Sequence, residues 1–163
     1  MKNLLYTLLF FCTLTTNAQG NLQQLLKEHN TESVPYITVD ELKKENSNVI
    51  LLDAREPKEF KVSHIENAHC VGYDHFNLNK TISSLKNKDA KIIVYCSLGI
   101  RSEDVAEKLQ KAGFSNVYNL YGGIFEWKNE GNEVVNKKNK STEKVHTFNK
   151  DWSKWLLKGK KVY

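Results

Sequence analysis

The sequence predicts an α/β domain built on a mostly parallel β-sheet, and three observations lead there. Continuous apolar runs with polar flanks, "NVILLDAR" (48–55) and "KIIVYC" (91–96), mark strands buried on both faces. Between them lie segments with helical spacing and helix-end signals. Strands and helices then alternate at the lengths of βαβ units. A chain of 163 residues, 40% of them hydrophobic, is enough for one domain with an ordinary core.

The elements follow in order. "MKNLLYTLLFFCTLTTNAQG" has Lys2, an apolar run from Leu4 to Leu14 and the small-x-small pattern of Thr16-Asn17-Ala18, so residues 1–18 read as a secretory signal cleaved after Ala18. A lipoprotein signal ending at Cys12 is the alternative, but "LFFC" lacks the small residue expected before a lipidated cysteine. The apolar run is too short for a permanent bilayer span. Residues 19–36 form an N-terminal segment in which Leu22, Leu25 and Leu26 have helical spacing. "ITVDELKKEN" reads as a strand end entering a helix with Asp40 near its start. "NVILLDAR" is a buried strand, "EPKEFKVSHI" a short helix opened by Pro57, "AHCVGY" a second buried strand and "TISSLKN" a helical piece. "KIIVYC" is a third strand. "SEDVAEKLQKAGF" is a helix with Val105, Ala106 and Leu109 on one face, acids first, lysines last and Gly113 as its stop. "SNVYNLYGG" is another strand and "IFEWKNEG" a last short helix of this region.

Residues 136–163 stand apart. "NKKNKSTEK" (136–144) reads as a polar linker, and Val145, Phe148, Trp152, Trp155 and Leu156 then fall at the spacing of an amphipathic helix. Residues 19–135 hold 14 basic and 17 acidic side chains, a net of −3, whereas residues 136–163 hold 9 and 2, a net of +7. The chain's +5 therefore belongs to its tail. A basic aromatic helix could lie on a membrane, but apolar stripes usually mark core, so docking on the domain is expected. For an exported protein the basic face is expected to be solvated, not a nucleic-acid site.

Chemistry concentrates in "CSLGIR" (96–101). Cys96 ends a buried strand, where ligand sites of parallel sheets form. Loop N–H groups and the start of the next helix can stabilise its thiolate. Gly99 lets the loop curl around the sulfur, and Arg101 can hold an oxyanion by a two-pronged contact. Cys70, near the start of its strand, is expected to be buried core; both thiols are expected to be free, although two cysteines in an oxidising compartment could also pair. Asp53 and Arg55 end the neighbouring strand. Arg55 is a candidate substrate contact, with a structural ion pair to Glu59 or a loop amide as the alternative. The histidines at 29, 64, 69, 75 and 146 lack metal-ligand spacing, and Gly122-Gly123 makes no phosphate-binding pattern, so no metal and no cofactor is expected.

These motifs resemble the rhodanese-like sulfurtransferase family over residues 37–135. The similarity rests on Asp53-x-Arg55 with Glu59-Phe60, His64-Ile65 with Ala68, the loop from Cys96 to Arg101, and Gly122-Gly123 with Trp127. It implies a five-stranded mostly parallel sheet flanked by helices, with Cys96 as the sulfur carrier. Ser97, Leu98, Gly99, Ile100 and Arg101 would form the cradle. The implied reaction takes sulfane sulfur from thiosulfate or a persulfide and passes it to a thiol or cyanide, so the partners are a small sulfur donor and a thiol acceptor, which could be a thiol-carrying protein. Ser97 where many thiosulfate-using members are basic, the apolar Leu98 and Ile100, and the acidic Glu103 and Asp104 weaken the attraction for a dianion. Cysteine phosphatases use a similar cup with a longer loop; the four residues between Cys96 and Arg101 favour sulfur over a phosphate ester. The alternative in another class is a non-catalytic rhodanese-like binding module of the cell envelope. The expected location is the periplasm or the exterior.

Overall fold

All strands of the main sheet run in one direction, as continuous apolar segments joined by helices require. The computed structural model describes residues 22–45 and 49–163. The expected signal segment, residues 1–18, lies outside the described residues. The chain divides into two compact units at Thr31 and Glu32. Within the first, a helix over residues 22–29 (α1) buries Leu22 and Leu26, and Gln24 donates to Glu28 one turn on.

The second unit carries the sheet. Its strands are β1 (Tyr36–Ile37), β2 (Ile50–Asp53), β3 (His69–Cys70), β4 (Ile92–Tyr95) and β5 (Val117–Leu120), in the spatial order β1-β5-β4-β2-β3. Every pairing is parallel. β4 is central, and Ile92, Ile93, Val94 and Tyr95 are all completely buried. Leu52, Ile92, Val94, Val105, Leu109 and Phe114 share one core cluster with the Cys96 side chain.

The helices begin where local chemistry dictates. α2 (Val39–Lys44) opens with a capping box in which Thr38 and Glu41 satisfy each other's backbone amides. α3 (Pro57–Val62) starts with Pro57, whose fixed φ suits a first turn, and α4 (Leu78–Ser84) is capped by Asn77. α5 (Arg101–Lys111) has Glu103 and Asp104 at its positive end and Lys108 and Lys111 at its negative end. α6 (Gly123–Asn129) follows β5. The register pairs Asp53 with Tyr95 and Val94 with Asn119, so β2, β4 and β5 deliver their following loops to one edge.

Three expectations are corrected. Cys70 is exposed, because β3 is a two-residue edge strand with a partner on one side only. The expected linker is a hairpin: β6 (Val134–Val135) pairs antiparallel with β7 (Ser141–Thr142), and the Asn136 side chain accepts from the amides of Lys138 and Lys140 across the turn. The expected long amphipathic helix is a short strand–helix–strand unit, β8 (Lys144–His146), α7 (Lys150–Ser153) and β9 (Lys160–Val162), with β8 and β9 parallel. Asn149 stops a continuous helix because its side chain accepts from the Trp152 amide, which makes it a cap and leaves Val145 and Phe148 outside. Asn129 ends α7 from across the fold, donating to the Trp155 carbonyl and accepting from the amides of Leu157 and Lys158. The tail docks as expected, with Val145 and Leu156 buried and β8 packed on α3. Among the described residues no helix is long and apolar enough to cross a membrane.

Candidate functional site

Cys96 leaves the end of β4 and stays in the interior, 2% exposed. The loop behind it turns on Gly99, whose φ of 106° lies in the region that other residues resist. This turn brings the Gly99 amide to the sulfur, N–H to Sγ at 3.1 Å. The Ser102 hydroxyl stands 3.5 Å from the same sulfur and 2.7 Å from Asn119 Oδ1, so its one proton has two acceptors within reach. Asn119 also donates to the Gly99 carbonyl at 2.7 Å, which ties the loop to β5.

A second clamp comes from α6. The amides of Ile124 and Phe125 donate to the carbonyls of Cys96 and Ser97 at 2.9 and 3.1 Å. Gly123 makes this approach possible: a Cβ there would lie 2.4 Å from the Cys96 carbonyl oxygen.

Burial alone would push the Cys96 thiol up. The Arg101 charge, the hydroxyl and amide of Ser102 and the Gly99 amide outweigh it, and the thiol sits below its ordinary value. Arg101 is not a lone cation, since its two terminal nitrogens donate to the two oxygens of buried Glu59, both at 2.9 Å. It also donates to Ser97 Oγ at 3.2 Å and lies 5.3 Å from the centre of the Phe148 ring. Burial would raise the Glu59 carboxyl, but the Arg101 bonds and charge hold it below the usual carboxylate value.

These residues surround a cavity of about 190 Å³ lined by Cys96, Ser97, Leu98, Ile100, Arg101, Phe148 and Trp152. Four of the five predicted cradle residues, Ser97, Leu98, Ile100 and Arg101, therefore line the cavity with Cys96, and Gly99 joins them through its amide. Arg55 is the exception and is corrected. It is completely buried, with Nε and Nη2 on Asp53 at 3.0 and 2.6 Å and Nη2 on the Ser63 carbonyl at 2.7 Å. Its guanidinium holds the β2 end in place and does not line the cavity. Glu59, one of the alternative partners considered for Arg55, belongs to Arg101 instead. Glu103 and Asp104 also stay off the cavity wall, meeting the hydroxyls of Tyr36 and Tyr73 at 3.4 and 2.5 Å. The hydrogen bond to Asp104 pushes the Tyr73 phenol up to about 12. Cys70 and Cys96 are free thiols, and no metal-binding group of side chains occurs among the described residues.

Four contributors are absent from the sequence expectations: Ser102, Asn119, Phe148 and Trp152. A polar side chain between apolar neighbours in a buried strand, as in "VYNLY", was a usable signal for Asn119. For Phe148 and Trp152 no local signal exists, since their contact with the loop spans some fifty residues of chain.

The parallel α/β sheet, with a buried cysteine in a loop at the end of its central strand, defines the class of fold. The rhodanese-like domain family matches residues 38–130, and the chain belongs to that family. The "tRNA uridine(34) hydroxylase" of Enterobacter sp. is 34% identical over 92 residues, 55% of this chain and 26% of that protein. The "Probable adenylyltransferase/sulfurtransferase MoeZ" of Mycobacterium tuberculosis is 34% identical over 77 residues, 47% of this chain and 19% of that one. The chain thus spans about a quarter or less of the length of these curated relatives. Among solved structures, a rhodanese-like domain protein from Staphylococcus aureus superposes with a TM-score of 0.54 at 31% identity, covering 63% of this chain and 98% of that one. The thiosulfate sulfurtransferase of Pseudomonas aeruginosa shares the fold at 19% identity, with a TM-score of 0.59 over 85% of this chain and 26% of that one.

Proposed function

We propose that the protein is a sulfurtransferase that carries sulfane sulfur on Cys96. The observation that supports this most is the lowered thiol at the base of a cavity, with the Gly99 amide and Ser102 hydroxyl directed at the sulfur. In the first half-reaction the Cys96 thiolate attacks the outer sulfur of a donor R–S–SH. A new S–S bond forms, the donor's S–S bond breaks, and RS⁻ leaves with its electron pair. In the second half-reaction an acceptor thiolate attacks the outer sulfur of Cys96–S–SH and returns the Cys96 thiolate. The loop amides and Arg101 stabilise the anionic sulfur in both halves. Export through residues 1–18, to the periplasm or the exterior, is part of the same proposal.

Intact-mass measurement with peptide mapping tests it. Wild-type protein treated with a hydropersulfide or thiosulfate gains one sulfur atom at Cys96, and a thiol removes it. Cys96→Ser gains none at that position. A wild-type protein whose Cys96 stays unmodified with every donor would refute the carrier role and leave the binding-module alternative standing.

A further inference from the structure

The cavity over Cys96 is closed by residues outside the matched family region of 38–130. Phe148 and Trp152, from the strand–helix–strand tail, complete a wall with Leu98 and Ile100. Phe148 is held there firmly. Its φ of 64° is rare for a bulky side chain, its amide donates to His146 Nδ1 at 3.1 Å, and the Asn149 amide closes the turn onto the Thr147 carbonyl at 2.7 Å. The ring is half exposed, so it is not there to fill a core. It is aimed at Arg101 and the cavity mouth.

Charge gives the same indication. The sole guanidinium on the wall is bonded at both ends to the Glu59 carboxylate and already serves as counter-charge to the Cys96 sulfur, so it offers an incoming dianion less than an unpaired cation would. A thiosulfate dianion entering this cavity would lose water on four apolar side chains and gain one cation already paired. An apolar group faces the opposite balance. A dry cavity of about 150 Å³ lined by such side chains holds a benzene-sized molecule, and this one is about 190 Å³.

Resting on the sulfurtransferase reading, we propose that the tail makes Cys96 selective for organic hydropersulfides with a small apolar substituent, with Phe148 and Trp152 as the specificity-determining residues. The substituent, of about the size of a butyl or phenyl group, occupies the space between Leu98, Ile100, Phe148 and Trp152. This presents the outer sulfur to Cys96, and the departing RS⁻ is released at the mouth beside Arg101.

The test is the second-order rate of sulfur addition to Cys96 in the full chain, followed by mass, with n-butyl hydropersulfide, glutathione hydropersulfide and thiosulfate. Wild type reacts with the butyl donor at least about tenfold faster than with either of the others, a factor at the low end for discrimination in an apolar pocket. Phe148→Asn removes the apolar wall with a residue that accepts positive φ, so the variant keeps its fold. In it, and in Trp152→Gln, the ratio of butyl to thiosulfate rates falls about tenfold, while Phe148→Leu keeps most of the preference. Sulfur addition to Cys96 with no preference in wild type, or with the same ratio in both polar variants, overturns the selectivity and leaves the carrier role intact. Absence of sulfur on Cys96 with all three donors overturns both.

Discussion

Cys96 and Cys70 stand at the ends of two strands of one sheet and meet opposite surroundings. Around Cys96, the Arg101 charge and the Gly99 and Ser102 hydrogen bonds overcome burial and lower the thiol. Cys70 is exposed as a residue, but its sulfur rests 3.7 Å from the Arg55 carbonyl, and partial burial together with the Asp53 charge pushes its thiol up. Alkylation proceeds through the thiolate, so the rate at each site rises with pH through its own pKa. The Cys96 rate is therefore expected to level off at a pH below the ordinary thiol value of 9.0, and the Cys70 rate above it. Iodoacetamide labelling with peptide mapping across pH reads both inflections in one sample, and an inflection for Cys96 at or above that of Cys70 contradicts the site's electrostatics. Arg101→Ala removes the largest stabilising cause and shifts the Cys96 inflection upward. The loop residues from Cys96 to Arg101 were legible because they lie within six positions of chain. Arg55 was misplaced for a physical reason. A strand end fixes where a side chain starts, but its direction is set by the Asp53 carboxylate and the Ser63 carbonyl, eight residues on.

At the scale of elements, the loop after Cys96 is held between β5 and the start of α6. This gives Gly123 a role that its neighbours in "YGGIF" do not reveal. A methyl group at 123 would collide with the Cys96 carbonyl, and its φ of 54° disfavours any larger residue. Gly123→Ala is expected to cost about 3 kcal/mol, from overpacking of ~1–3 kcal/mol plus ~1–2 kcal/mol for the left-handed backbone. It should also slow Cys96 sulfuration, because the Ile124 and Phe125 amides lose their carbonyls. Chemical denaturation combined with the sulfuration rate checks this, and a variant as stable and as reactive as wild type contradicts the clamp. β2, β4, β5 and α5 were readable because their signals are local: continuous apolar runs, first-turn acids and a terminal glycine. β3 is only two residues long, and the alternating pattern that would have shown its exposed edge is absent. In the tail, helical spacing from Val145 to Leu156 misled, since a strand, a tight turn and one helical turn can place apolar residues at the same intervals, with Val145 and Leu156 in the core and Phe148 half exposed.

For the whole molecule, the question is what the tail adds to a domain whose sheet is already complete without it. Val145 and Leu156 are almost fully buried, at 0% and 1% exposure, and each contributes ~1.5–3 kcal/mol relative to exposure. Together they account for about 3–6 kcal/mol, a large part of the ~5–15 kcal/mol that holds a typical domain folded. Removing residues 143–163 should therefore lower the melting point markedly and expose apolar surface to a dye such as ANS. It should leave a domain that still folds at low temperature, because the main five-stranded sheet and the loop clamps from β5 and α6 lie wholly before residue 131. Below its new melting point the shortened protein is expected to form the Cys96 persulfide, and to react faster with bulky thiol reagents, since Phe148 and Trp152 no longer close the cavity. Residues 143–163 carry a net charge of +4, six lysines against Glu143 and Asp151, and this leaves with them. A loss of stability that persists in high salt separates apolar docking from charge attraction, because salt screens the second and not the first. A truncated protein that melts with the full-length chain, or whose Cys96 is no more accessible than before, would show that the tail neither supports the domain nor closes its site.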